Sequence, residues 1–150
     1  MIKTIFIDTN ILCKCWEYHE MLNKLSRDKH LSKNRFVTTD VFLKEFKSYI
    51  YEKTQSRMAA SYTNHIKDLF DEIIDCKQIY KKHEFDIVYR DFILLPPHKL
   101  KGNKRRYLMN HHNDTLSWLA IMDYCKKKSE SCEYVFLSND SDFFHKKIFL

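Results

Sequence analysis

Ile5-Phe6-Ile7-Asp8-Thr9-Asn10-Ile11-Leu12 is the stretch on which the fold reading turns. Residues 3–7 are dominated by β-branched and aromatic side chains in a short run, which predicts a buried strand. Asp8 stands at its end. Ile11, Leu12, Cys15, Trp16, Tyr18, Met21, Leu22 and Leu25 follow near helical spacing, which predicts a helix over 10–25. Much later, Tyr134-Val135-Phe136-Leu137 runs into Ser138-Asn139-Asp140-Ser141-Asp142-Phe143. A second strand, over 134–138, thus also leads to an acid.

Between these ends the reading alternates. Residues 26–34 are polar and predict a connection. Arg35-Phe36-Val37-Thr38 predicts a short strand, and Thr39 or Asp40 then caps a helix carrying Val41, Phe42, Phe46 and Tyr49. Residues 57–75 predict a further helix with Ile66, Leu69, Phe70, Ile73 and Ile74 on one side. Residues 76–95 fit strand or helix until Pro96-Pro97 stops them. Residues 98–107 predict a basic loop around Gly102, residues 113–128 a strong helix, and 141–150 another helix or strand. Strands alternating with helices imply an α/β fold with a mostly parallel sheet. At 150 residues with no visible linker or repeat, a single domain over 1–150 is expected.

Composition excludes several function classes. Gly102 is the only glycine, so neither the dinucleotide fingerprint nor the P-loop exists here. No apolar run approaches the roughly 20 residues that span a bilayer, so no membrane is expected. The five cysteines, Cys13, Cys15, Cys76, Cys125 and Cys132, are odd in number and follow no secretory signal, which fits reduced thiols in a cytoplasmic protein. A zinc site from Cys13, Cys15 and His19 is a minor alternative, because residues two apart on a helix point to different faces. The net charge of +6 either aids solubility or holds phosphates.

Four acids hold the chemical interest: Asp8, Glu45, Asp114 and Asp140. In open α/β sheets, ligands bind beyond the carboxyl ends of the strands. Asp8 and Asp140 stand at such ends, and they meet if the first and last strands are neighbours. Each could equally cap a helix. Glu45 shares the apolar side of its helix with Val41 and Phe42, where a charge is costly without a partner; Lys44, Lys47 or a shared cation would supply one. Asp114 or Asn113 opens the helix with Leu116, Leu119, Ala120 and Tyr124, where capping is the plainer role. His111 and His112 precede it as loop residues, and Asp123 reads as a solvated charge. Clustered carboxylates repel and take up protons unless a hard cation such as Mg²⁺ or Mn²⁺ is shared among them. Bound water then ionises more readily and attacks phosphorus. An aspartyl-phosphate mechanism fits less well, since it usually wants a second aspartate where Asn10 stands.

Phe6-Ile7-Asp8-Thr9-Asn10-Ile11-Leu12, Val41-Phe42-Leu43-Lys44-Glu45-Phe46, Asn113-Asp114-Thr115-Leu116 and Leu137-Ser138-Asn139-Asp140-Ser141-Asp142-Phe143 together resemble the PIN-domain ribonucleases, in the same order along the chain. The resemblance implies a three-layer α/β/α sandwich with a mostly parallel central sheet. It implies Mg²⁺- or Mn²⁺-dependent hydrolysis of single-stranded or structured RNA, leaving a 5′-phosphate. Asp8, Glu45, Asp114 and Asp140 would be the metal-binding acids, with Asp142 an accessory. Asn10 and Ser138 would support the first aspartate by hydrogen bonds. Small members are often the toxin halves of toxin–antitoxin pairs, so a protein inhibitor or antitoxin is an implied partner. The chain departs from compact members between Glu45 and Asp114, where 78–107 reads as an insertion and basic loop. It also carries Thr115 where alanine is common. Lys99, Lys101, Lys104, Arg105, Arg106 and Tyr107 could hold a single strand there, by phosphate contacts and stacking. A catalytically inactive PIN-like scaffold binding RNA or protein is the second reading. Trp16, Tyr18, Tyr49 and Tyr51 either fill core or form the face of a homodimer.

Overall fold

The computed structural model describes residues 2–54, 58–79, 81–82, 104–128 and 132–139, with side chains of the last helix described from Asn113 onward. The elements are β1 (Lys3–Ile7), α1 (Thr9–Glu17), α2 (His19–Ser32), β2 (Arg35–Thr39), α3 (Asp40–Thr54), α4 (Met58–Lys67), β3 (Glu72–Ile74), α5 (Lys104–Lys127) and β4 (Glu133–Leu137). The strands form one sheet in the order β3-β2-β1-β4. β1 pairs in parallel with β2, Ile5 opposite Phe36, and with β4, Ile7 opposite Leu137. The fold class is therefore α/β, with a parallel sheet and helices, as the alternating elements imply. β1 is central, and its run of apolar residues suits a strand covered on both faces.

The chain divides into two compact units. The first holds Met1–Thr38 and Phe42–Ile73 together with the segment bearing β4; the second holds Thr39–Val41 and the segment Ile74–Ser129. The core of the first gathers Ile7 from β1, Ile11, Leu12 and Cys15 from α1, Phe36 from β2, Leu43, Phe46 and Ile50 from α3, and Ile66 from α4. Leu43, Phe46 and Ile50 fall at i, i+3 and i+7, one face of α3. Each such fully buried side chain is worth about 1.5–3 kcal/mol over its exposed state. The second unit packs Cys76, Ile79, Leu116 and Ala120 with Val41, Ile74 and Leu119. Two polar ties reinforce it. Asp40 Oδ1 accepts the Cys76 N–H at 3.0 Å, and the buried Thr39 and Ser117 hydroxyls share a bond of 3.0 Å.

Several expectations need correction. The helix expected over 10–25 is two helices, broken at Tyr18, whose extended backbone (φ −127°, ψ 94°) ends α1 while its N–H still reaches the Lys14 carbonyl. α2 then runs through the expected connection 26–34 as far as Ser32. It closes on Lys33 in the left-handed region at φ 56°, a place glycine would usually take in a chain that has only one. The helix expected over 57–75 stops at Lys67. Beyond it Asp71 latches onto β2: its N–H donates to the Phe36 carbonyl and its Oδ2 accepts the Phe36 N–H, both at 2.8 Å. Ile73 and Ile74 consequently belong to β3. Lys104, Arg105, Arg106 and Tyr107 lie in the first turn of α5 rather than in a loop, and His111 and His112 lie within the same helix. Cys76 precedes a short helical stretch at 77–79 and 81–82; residue 80 and residues 83–95, with Lys99, Lys101 and the tail 141–150, lie outside the described residues. Among the described residues no helix is long and apolar enough to cross a membrane.

Candidate functional site

The parallel register of β1 and β4 fixes the first pair of site residues. Ile7 lies opposite Leu137, so Asp8 and Ser138 are the next residues beyond two adjacent strand ends. The Asp8 N–H donates to the Leu137 carbonyl at 3.1 Å, continuing the ladder by one residue. The Asp8 carbonyl accepts the N–H groups of Ile11 and Leu12, so its backbone starts α1. Its side chain does not: no capping bond is made, and Oδ2 instead accepts a hydrogen bond from Ser138 Oγ at 2.6 Å. Asp8 is only 2% exposed. A carboxylate so placed is costly unless hydrogen-bonded or shared with a cation. The N-cap alternative is thus right for the backbone of Asp8 and wrong for its carboxylate.

Thr9, the next residue, brings in the second acid. Its Oγ1 lies 2.9 Å from Glu45 Oε2 and 3.2 Å from the Phe42 carbonyl, both on α3. Glu45 is half-buried, between the fully buried Phe42 and Phe46 on the helix. One turn along α1 from Thr9, burial pushes the Cys13 thiol up to about 12, helped by the negative charges of Glu17, Asp8 and Glu45. The thiol stays protonated at neutral pH. The geometric link between the two acids is Thr9, which follows Asp8 in the chain and bonds Glu45. Cys15 is buried in the core, its thiol pushed up to about 11 by burial. All five cysteines are free.

The same stripe continues away from the acids. Thr9, Cys13 and Glu17 recur every four residues on α1, as Glu45, Tyr49 and Lys53 do on α3. The Tyr49 hydroxyl donates to Glu17, which holds that carboxyl below its usual range with help from Lys14 and Lys53. Trp16 meets the Tyr49 ring edge-on at 5.9 Å. Trp16 and Tyr49 are thus half-buried between two helices, while Tyr18 and Tyr51 are exposed.

The other expected residues are placed as follows. Asn10 is exposed on the first turn of α1. Asp114 is half-buried in the second unit and sits well inside α5, so neither it nor Asn113 caps that helix. Asp123 is not a solvated charge: only 11% of its side chain is exposed, and it pairs with Lys127 at 2.8 Å and Lys82 at 3.2 Å, which hold its carboxyl below the usual range. Asp140 and Asp142 lie outside the described residues. Among the described residues, no group of three or more His, Cys, Asp or Glu side chains gathers closely enough to hold a metal. Thr9 and Cys13 are the site neighbours that sequence reasoning missed, although their four-residue spacing from one another and from Glu17 was there to be read. Comparison with family models, with curated proteins and with solved structures finds no match.

Proposed function

We propose that this chain is a metal-dependent ribonuclease that hydrolyses RNA phosphodiester bonds with Mg²⁺ or Mn²⁺ held by carboxylates. The observation that carries the reading is Asp8: a buried carboxylate at the end of the central strand, braced by Ser138 from the adjacent strand end and followed by Thr9, which bonds Glu45. The resemblance of four ordered segments to PIN-domain ribonucleases supports it. Carboxylate oxygens suit a hard cation better than zinc or copper. When bound, such an ion lowers the pKa of a water and stabilises charge on the phosphate oxygens.

The chain's own residues then have separable roles. Asp8 and Glu45 would hold the ion; Asp114, Asp140 and Asp142 are the further metal-binding acids that the resemblance implies. Ser138 orients Asp8 by donating to one of its oxygens, while an ionised carboxylate keeps acceptor capacity for a cation. No side chain serves as nucleophile. Lys104, Arg105, Arg106 and Tyr107 on α5 are the proposed contacts to RNA phosphates and bases, and affinity there would fall steeply with salt.

Cleavage of labelled single-stranded RNA and DNA with Mn²⁺, with EDTA, and with Asp8→Asn tests the reading. Metal-dependent RNA cleavage that drops by about 100-fold or more in the variant is expected. Equal cleavage by parent and variant, or no cleavage by the parent at any Mn²⁺ concentration, overturns it. In the second case salt-sensitive RNA binding would identify an RNA-binding scaffold.

A further inference from the structure

We infer that Thr9 is a positioning residue for Glu45, setting the affinity of the carboxylate site for its divalent ion; this rests on the ribonuclease reading above. A threonine hydroxyl has one proton and can donate to one acceptor at a time. Thr9 Oγ1 has two within reach: the Glu45 carboxylate at 2.9 Å and the Phe42 main-chain carbonyl at 3.2 Å. The charged acceptor is the stronger and the nearer. The bond therefore ties the first turn of α1 to α3 at the point where Glu45 leaves the helix.

The position of Thr9 gives the tie its consequence. Asp8 is fixed on the other side of the same peptide by the β4 ladder and by Ser138. Anchoring Glu45 to Thr9 thus refers both carboxylates to one rigid point, the junction of β1 and α1. Without the hydroxyl, Glu45 keeps its place on α3 but loses its hydrogen bond to that junction. The side chain then has one restraint fewer, and the added rotamer freedom must be given up when the ion binds, a cost that the intact site meets on folding. The hydroxyl's proton is committed to a carboxylate, so its effect is on affinity rather than on the chemical step.

Three variants test this: Thr9→Val, which keeps shape and removes the hydroxyl; Thr9→Ser, which keeps the hydroxyl; and Thr9→Val combined with Glu45→Gln. The readouts are the Mn²⁺-dependent rise in melting temperature without RNA and the Mn²⁺ midpoint of RNA cleavage. Thr9→Val should raise both midpoints by about 10-fold, as the loss of a residue bracing a metal ligand typically does, with cleavage at saturating Mn²⁺ within roughly twofold of the parent. Thr9→Ser should restore the midpoints, and Thr9→Val should add nothing to Glu45→Gln. A Thr9→Val protein with a lower metal-free melting temperature and unchanged Mn²⁺ midpoints would make Thr9 a helix tie alone and overturn the inference. A parent protein that neither shifts with Mn²⁺ nor cleaves RNA would overturn the ribonuclease reading itself, a result distinct from the other.

Discussion

At the scale of single residues, Asp8 shows how one position serves sheet, helix and site together. Its N–H extends the β1–β4 ladder, its carbonyl starts α1, and its carboxylate is left to Ser138. Ser138 in turn is aimed by register, because Leu137 lies opposite Ile7. Hydrogen bonds to ionised groups contribute more than neutral ones, and a buried acceptor stripped of its donor keeps its desolvation cost. Ser138→Ala should therefore destabilise the metal-free protein by about 1–2 kcal/mol, while Ser138→Thr, which retains the hydroxyl, should cost less. Urea titrations of the two variants decide it. Loss below about 0.3 kcal/mol in the alanine variant would mean that the bond contributes nothing to the folded state.

At the scale of elements, the sequence was legible where one pattern acted alone. β1, β2 and β4 are short β-branched or aromatic runs, and α3 carries one clear apolar face; all stand close to where the pattern puts them. The failures occur where long-range contacts decide. Nothing local in 10–25 breaks helical spacing, yet Tyr18 is extended and divides the segment into two helices. Ile73 and Ile74 continue a helical stripe, yet the Asp71 latch on Phe36 turns that segment into β3. In the site, Asp8 and Ser138 were readable as strand-end residues, whereas the Thr9–Glu45 bond needs two helices brought side by side. α2 teaches the same lesson in its docking: none of its residues is fully buried. Met21, Leu22 and Leu25 pack partly buried against the core, and Lys29 adds a polar anchor, donating to the Leu69 carbonyl at 2.6 Å, pairing with Asp71 at 3.1 Å, and lying over the Phe36 ring. With 19% of its side chain exposed, the ammonium is largely enclosed by these partners. Lys29→Met keeps the stem and should cost about 1–3 kcal/mol, since a charge-assisted bond is lost and a carbonyl is left without its donor. Chemical denaturation would show it; a methionine variant as stable as the parent would mean that the ammonium's polar bonds contribute nothing to holding α2.

At the scale of the whole molecule, the basic charge and the enclosed thiols act at different ends of the pH range. The +6 charge belongs to neutral pH, where it favours a polyanionic partner. The thiols matter when the solution is alkaline. Burial pushes Cys15 from 9.0 up to about 11. Burial, with Asp40 beside it, pushes Cys76 from 9.0 up to about 12. Tyr49 rises from 10.0 to about 12 through its bond to Glu17. In each case the folded protein keeps its proton to higher pH than the unfolded chain. Above pH 9 the unfolded state binds fewer protons, so its free energy falls relative to the native state. The stabilisation these groups provide is complete below pH 9 and disappears progressively as pH rises towards 11–12. The melting temperature should accordingly hold steady from pH 7 to 8.5 and fall by on the order of 5 °C by pH 10.5. Cys15→Ala will lower the starting value, because it opens a cavity in the first unit's core. Its alkaline decline should nonetheless be shallower than the parent's, since one of the titrating groups is gone. Parallel declines in parent and variant would show that Cys15 ionises no differently in the folded and unfolded chains.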